Sequence, residues 1–473
     1  MTAFQKKYEF MPDCCQKYKK YHSFSFQKSI RTHIFFFVLS LLLIIGCKKS
    51  ENLINGNGGG GELPEKPNII LILGDDVGYE VPTCDGGQSY QTPNIDMMAQ
   101  QGIRFTQCHS SPLCSPSRFM LMTGKYNFRN YTQWGVMDLS QKTIANMLKA
   151  AGYTTCVSGK WQFDGGDASI HTFGFDKYCV FNPYLDYSDD AGKGSRYKDP
   201  TIYQDGSYLP AEKTLNQYGE DIFANYLMNF IDSNKTRSFF AYWPLNLCHS
   251  PFTPPPDNAQ FPNWYPLRSN TAFFPYMVKY MDKKIGQLID KVKSLGIDKR
   301  TVIIFIGGDN GTSWEISSRF NGMYIQGGKA KTTEYGTHVP LLIYWPGTAG
   351  TGIINDDLID FTDFLPTIAD IANISKPFSY GILDGTSFYP QISGRAGEPR
   401  SWIFTHFQSH PDKPTPLFRY VQNKTYKLYE RNGAFYNTVN DINEKYPITD
   451  SALTNEERQI KQEFQTVLNQ MHN

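Results

Sequence analysis

Asn68-Ile-Ile-Leu-Ile-Leu73, running directly into Gly74-Asp75-Asp76-Val77-Gly78, is the stretch on which the fold turns. Its apolar residues are continuous rather than alternating, so they describe a strand covered on both faces, as in the middle of a parallel sheet. Comparable signals recur at Thr154 to Ser158, Phe239 to Trp243, Val302 to Ile306 and Leu341 to Trp345. Helical patterns lie between them, at Asn94 to Gln101, Thr143 to Ala150, Tyr218 to Ser233 and Phe273 to Leu295. This alternation predicts an α/β fold with a large, mixed but mostly parallel sheet sandwiched by helices. Past Pro399 the pattern changes to short aromatic strands, Trp402 to His406, Phe418 to Val421 and Tyr426 to Tyr429, closed by a helix from Asn455. The expected division is a main body over residues 67–398 and a small C-terminal α+β subdomain over 399–473.

The 473 residues include 46 Lys and Arg against 45 Asp and Glu, a net charge of +1. No polybasic face results, which sets aside a nucleic-acid partner. With 40% hydrophobic and 19% charged residues the chain is neither disordered nor an integral membrane bundle. At the N-terminus, Lys6, Lys7, Lys17, Lys19, Lys20, Lys28 and Arg31 precede the apolar run Ile34 to Gly46. That run is too short to span a bilayer comfortably, so residues 1–46 read as a signal peptide. It ends Leu-Ile-Ile-Gly-Cys47, which resembles a bacterial lipobox and implies cleavage before Cys47 and lipidation of that residue. The expected location is the bacterial cell envelope, periplasm or outer membrane, with the chain exported and lipid-anchored to the membrane. Residues 47–66, with Gly56 to Gly61, read as a flexible tether of roughly 25 Å reach. None of the nine cysteines forms a CxxC pair that would suggest zinc or redox chemistry, and at most two disulfides fit.

Cys114-Ser115-Pro116-Ser117-Arg118 stands out further along, followed by Thr123-Gly124-Lys125. The cysteine stands where the apolar helix around Arg118 to Met122 begins, and free N–H groups at a helix N-terminus favour an anion. Asp75 and Asp76 follow the first strand at its C-terminal end, where open α/β sheets bind ligands. Ile306-Gly-Gly-Asp309-Asn310-Gly311 repeats that placement after a later strand. Three carboxylates and an amide are hard oxygen donors, suited to Ca²⁺ or Mg²⁺ and unsuited to zinc. Either pair alone reads as a turn or helix cap; two pairs beside Cys114 reverse that reading.

With Ser158-Gly159-Lys160-Trp161-Gln162, Asn246-Leu-Cys-His249-Ser-Pro251 and Gly327-Gly328-Lys329, these strings resemble the formylglycine-dependent sulfatases of the alkaline phosphatase superfamily. The resemblance extends from about Lys66 to the C-terminal subdomain. It implies that a sulfatase-maturating enzyme oxidises Cys114 to formylglycine, whose hydrated aldehyde is the nucleophile. It further implies that Asp75, Asp76, Asp309 and Asn310 hold Ca²⁺, less readily Mg²⁺, against the modified Cys114 and the substrate sulfate. Lys160 and Lys329 would grip that sulfate, Arg118 would hold the nucleophile, and His249 would protonate the leaving alcohol. Gln162 departs from the family pattern, which has histidine there. A glutamine hydrogen-bonds but takes up no proton at neutral pH, so either that position chiefly orients, or another base substitutes, or turnover is slow. His338, where family members often carry Arg, reads as structural, while Lys125, His109 and His171 are structural or without an assigned role.

The implied reaction is hydrolysis of a sulfate ester through a covalent enzyme sulfate, which the second hydroxyl of the hydrate then expels. Two rivals are a phosphonate monoester or phosphodiester hydrolase with the same apparatus, and a binder of sulfated glycans without turnover. The expected substrate is a sulfated polysaccharide or oligosaccharide. Loops at 186–208 and 254–268 carry Arg196, Lys198, Trp264, Tyr265 and Arg268, which either grip sugars and neighbouring sulfates or pack and solvate.

Overall fold

A computed structural model describes residues 66–472 apart from 182, 185–193 and 376–377. The signal peptide, Cys47 and nearly all of the tether expected from the sequence lie outside the described residues.

Ten strands form the main sheet: β1 (Asn68–Leu73), β2 (Ile103–His109), β3 (Thr154–Lys160), β4 (Lys177–Phe181), β5 (Ile202–Gln204), β6 (Ser207–Tyr208), β7 (Phe239–Pro244), β8 (Thr301–Ile306), and two more. A two-stranded hairpin of β9 (Ser317–Phe320) and β10 (Met323–Gln326) stands apart, and β11 (His338–Tyr344) and β12 (Ile353–Asp360) complete the ten. Their spatial order is β12-β2-β11-β8-β1-β7-β3-β4-β5-β6. The centre, β8-β1-β7-β3-β4, is parallel throughout, as the unbroken apolar runs predict. β11 departs from that pattern by pairing antiparallel with both β8 and β2. All six residues of β1 are fully buried. Its side chains divide by parity: Ile69, Leu71 and Leu73 join one apolar cluster, while Ile70 and Ile72 join another on the opposite face.

Helix Phe274–Ser294 covers the second face with Met277, Met281, Ile285, Leu288 and Ile289, spaced at helical period. The first face is covered by helices Cys114–Thr123, Ile144–Ala150 and Phe364–Ile371. Thr143 caps the second of these, its Oγ1 accepting from the Asn146 N–H at 3.2 Å.

A separate antiparallel sheet runs β13 (Ile403–Gln408), β14 (Leu417–Gln422), β15 (Tyr426–Tyr429), β16 (Phe435–Asn437). Helix Asn455–Gln470 closes it, with Phe464, Val467 and Leu468 in the same apolar cluster as Phe404, Val421 and Leu428. Among the described residues every cysteine, Cys84, Cys108, Cys114, Cys156, Cys179 and Cys248, is unpaired, so neither of the two disulfides that the count allowed is formed there. No helix of the described residues is long and apolar enough to cross a membrane.

Candidate active site

Six loops at one edge of the sheet bring the candidate residues together. Asp75 and Asp76 follow β1, Lys160 and Gln162 lie at the end of β3, His249 follows β7, and Asp309 and Asn310 follow β8. Cys114 follows β2, and Lys329 precedes β11, whose reversed direction returns that loop to the same edge. The loops after β1 and β8 meet because neither residue at their closest point has a side chain: a Cβ on Gly74 would stand 1.9 Å from the Gly307 carbonyl oxygen.

Cys114 is the first residue of helix Cys114–Thr123, and no side chain caps that terminus. The helix therefore begins at Cys114 itself, where the sequence places it, and Cys114 is buried at its positive end. Burial raises its thiol pKa, with Lys160 and Lys329 opposing. Gln162 donates from Nε2 to Ser115 Oγ at 2.9 Å and reaches Cys114 Sγ at 3.4 Å. The residue that departs from the family pattern thus touches the candidate nucleophile.

Around Cys114, each buried carboxylate pairs with its own cation. Arg118 Nε lies 2.7 Å from Asp309 Oδ2, Lys160 Nζ 2.7 Å from Asp75 Oδ2, and Lys329 Nζ 2.7 Å from Asp76 Oδ1. Burial pushes Asp75 up, but Lys160, His249, Arg118 and Lys329 together outweigh it and hold the group well below the usual carboxylate range. Asp76 is lowered too, Lys329 and His249 overcoming its burial. Asp309 moves the other way, raised by burial and by the neighbouring Asp75 charge against Arg118.

Several atoms in this web have no hydrogen-bond partner among the described residues: Asp75 Oδ1, Asn310 Oδ1, and both terminal nitrogens of Arg118. Asn310 donates from Nδ2 to Asp76 Oδ1 at 2.8 Å, which leaves its oxygen free to coordinate. Orphaned buried oxygens beside two further carboxylates form a donor set that fits a hard divalent cation. His249 adjoins the same group, with ligand atoms of Asp75, Asp76 and His249 all within 4.8 Å of one another.

His249 Nδ1 lies 2.6 Å from the Ser250 carbonyl oxygen. A carbonyl only accepts, so Nδ1 carries a proton and Nε2, which lies 3.9 Å from Asp76 Oδ2, is the nitrogen that titrates. Burial lowers the His249 pKa to about 3, helped by Arg196 and Lys329 against Asp76 and Asp75.

Periodicity and spacing give no sign of the groups supporting this site. Tyr197 donates to the carbonyl oxygens of Asn246 and His249, at 2.5 and 2.6 Å. Glu220, on helix Gly219–Ser233, accepts from the Asn246 N–H at 2.6 Å. Of the loop residues that could either grip sugars or pack, two make internal contacts. Lys198 Nζ donates to the carbonyl oxygens of Pro262 and Trp264, and Trp264 Nε1 donates to that of Arg268. His338 bonds the Thr106 carbonyl, in keeping with a structural role, and His171, left as structural or without a role, bonds that of Phe175. His109 bonds Gln422, and Lys125 bonds Gln141.

A family-wide profile described as "Sulfatase" matches residues 67–374, and one described as "N-sulphoglucosamine sulphohydrolase, C-terminal" matches residues 329–473. Arylsulfatase G of Rattus norvegicus is 31% identical over 361 residues, 66% of this chain and 66% of that protein. N-acetylgalactosamine-6-sulfatase of Mus musculus is 30% identical over 365 residues, covering 70% of this chain and 66% of the relative. The match thus spans just under two thirds of the length of these relatives. Among solved structures, Ps i-CgsB in complex with k-i-k-neocarrahexaose superposes with a TM-score of 0.71 at 25% identity, covering 86% of this chain and 92% of that one. With Cys114, the Asp75-Asp76 and Asp309-Asn310 pairs and the two lysines inside the matched stretch, this chain belongs to the sulfatase family.

Proposed function

We propose that this chain hydrolyses sulfate esters on sulfated saccharides, with Cys114 as the nucleophilic position. The observation that carries this reading is Cys114 at the start of its helix, touched by Gln162 and facing three lysine or arginine to carboxylate pairs. Oxidised to formylglycine by a maturating enzyme, Cys114 would supply one hydroxyl to attack sulfur and a second to expel sulfate afterwards. A Ca²⁺, or less readily Mg²⁺, held by Asp75, Asp76, Asp309 and Asn310 would polarise the sulfate oxygens.

The chain's own side chains do the rest. Lys160 and Lys329 set positive charge against the non-bridging sulfate oxygens before the reaction begins, so little reorganisation is needed as charge shifts. Arg118, fixed by Asp309, would hold the nucleophilic position. With Nδ1 bonded to Ser250, His249 would take up a proton at Nε2 once the anionic ester lies beside it, offsetting the burial and the cations that lower its pKa, and pass that proton to the departing alkoxide. Gln162 orients the nucleophile by donating from Nε2, since it has no proton to exchange at neutral pH.

The saccharide class is supported by a relative named for N-acetylgalactosamine 6-sulfate and by a structural relative solved with an oligosaccharide. Export and lipid anchoring at Cys47 belong to the same reading, holding the enzyme at the cell envelope where polymeric substrates arrive. Ion chromatography of anions released from sulfated oligosaccharides and an aryl phosphonate, by wild type and Cys114→Ala after co-expression with a maturating enzyme, tests it. The expected result is sulfate from wild type alone. Phosphonate turnover without sulfate, or equal sulfate release by Cys114→Ala, overturns it.

A further inference from the structure

Among the described residues, Arg196 is the cation in this web that has no carboxylate of its own. Arg118, Lys160 and Lys329 are matched one to one by Asp309, Asp75 and Asp76. Arg196 approaches the same Asp75 oxygen that Lys160 already holds, but from 3.9 Å, outside hydrogen-bond reach. That nitrogen is buried and has no hydrogen-bond partner among the described residues. A guanidinium with an open donor beside a saturated carboxylate is a binding group awaiting an anion.

The local structure fixes Arg196 in this position from both sides. Its guanidinium carbon lies 5.1 Å from the centre of the Phe181 ring, a cation–π contact at the end of β4. On one side of it in the chain, Ser195 Oγ donates to the Lys198 carbonyl at 2.6 Å and tightens the turn. On the other, Tyr197 is bonded to the loop that carries His249, and Lys198 is bonded to the 262–264 loop. The turn therefore straps two substrate-side loops together, and Arg196 is the residue it leaves facing the site. Arg196 is also the foremost charge acting on His249, which places it beside the proton donor as well as beside Asp75.

We infer that Arg196 binds the sulfate group of the ester as a further side-chain cation alongside Lys160 and Lys329, pre-positioned by Tyr197 and Lys198. This rests on the sulfatase reading above.

The test uses the full chain as wild type, Arg196→Ala, Arg196→Lys and Tyr197→Phe, with inorganic sulfate as probe. Titration calorimetry in the presence of Ca²⁺ reads sulfate binding, and steady-state kinetics read kcat/KM on a sulfate ester. Arg196→Ala is expected to weaken sulfate binding by about tenfold or more, with Arg196→Lys recovering part of the loss. Tyr197→Phe should weaken sulfate binding by a smaller factor, in keeping with a positioning role. Circular dichroism and thermal unfolding of Arg196→Lys guard against loss of fold. Sulfate binding unchanged within twofold in Arg196→Ala, or no sulfate binding by wild type, overturns the inference. If wild type binds sulfate but releases none from any ester, the sulfatase reading fails while the binding comparison still decides Arg196.

Discussion

Two buried charge clusters in this protein have opposite finishes. At the sheet edge, Asp75, Asp76 and Asp309 are paired with Lys160, Lys329 and Arg118, yet Asp75 Oδ1, Asn310 Oδ1 and three arginine nitrogens have no hydrogen-bond partner among the described residues. Where β15 meets the main body, Lys427 is fully buried but complete: it bonds Glu444 Oε1 at 2.9 Å and the Thr332 carbonyl, and it lies 4.1 Å from the Tyr420 ring centre. Arg400 is similarly finished by Asp363, the Tyr126 hydroxyl and the Trp402 carbonyl. A satisfied cluster fixes one packing; an unsatisfied one keeps donors and acceptors aimed at something still to arrive. The difference separates residues kept for structure from residues kept for a ligand.

Asp76→Asn cuts deepest into the open cluster, removing charge that faces Lys329, Asn310 and His249. Sulfate release should fall by about a thousandfold or more, and Ca²⁺, expected to raise the melting temperature of wild type, should not raise that of the variant. Retained calcium stabilisation in that variant would break the comparison. Lys427→Met should do the reverse, lowering stability by about 3 kcal/mol in denaturant titration by stranding Glu444, with activity per folded molecule unchanged. Substitution at Gln162 sharpens the contrast inside the open cluster. Gln162→Ala should cost about tenfold in kcat through loss of orientation, whereas Gln162→His should stay active and add a titrating limb near pH 6.5 to the rate profile.

The smallest effect is expected at Glu220, beneath the His249 loop. Burial pushes its carboxyl up from the ordinary 4.5 to about 7, against the Asn246 bond that favours ionisation. The folded chain therefore keeps a proton that the unfolded chain has already released, so this contribution to stability is full below pH 4.5 and is lost as pH rises through 7. Melting temperatures at pH 5 and pH 8 should differ by a few degrees less in Glu220→Gln than in wild type, after correction for other groups.

What could be seen in the sequence was whatever depends on local pattern. Asn68 to Leu73 announces a central strand because burial on both faces leaves no polar positions, and Gly74-Asp75-Asp76 announces a site because charge follows that strand at once. β2 and β12 gave no such signal. Ile103-Arg-Phe-Thr-Gln-Cys-His109 is polar on alternate residues, and Ile353-Ile-Asn-Asp-Asp-Leu-Ile-Asp360 has its polar residues in the middle, since these strands lie toward one side of the sheet. The Cys114, Asp309 and Lys329 positions were readable from their short motifs. The placement of Arg196 was not, because it follows from where Tyr197 and Lys198 bond to loops far along the chain. Those same bonds decide Lys198 and Trp264, which the sequence left between gripping sugars and packing, in favour of packing.

The strand order also sets a schedule for the nascent chain. β1 emerges first among the described strands, yet its two neighbours in the sheet are β7, beginning at Phe239, and β8, beginning at Thr301. Until those segments exist, six wholly apolar or buried positions have no sheet to join, and pairing of such sequence separation forms slowly. The site inherits this delay, since it needs the turns after β1, β2, β3, β7 and β8 and the loop before β11 at once. Chains halted before about Tyr344 would therefore hold a sticky strand and no assembled pocket, so chaperoning of that hexapeptide and acquisition of activity should be events at opposite ends of synthesis.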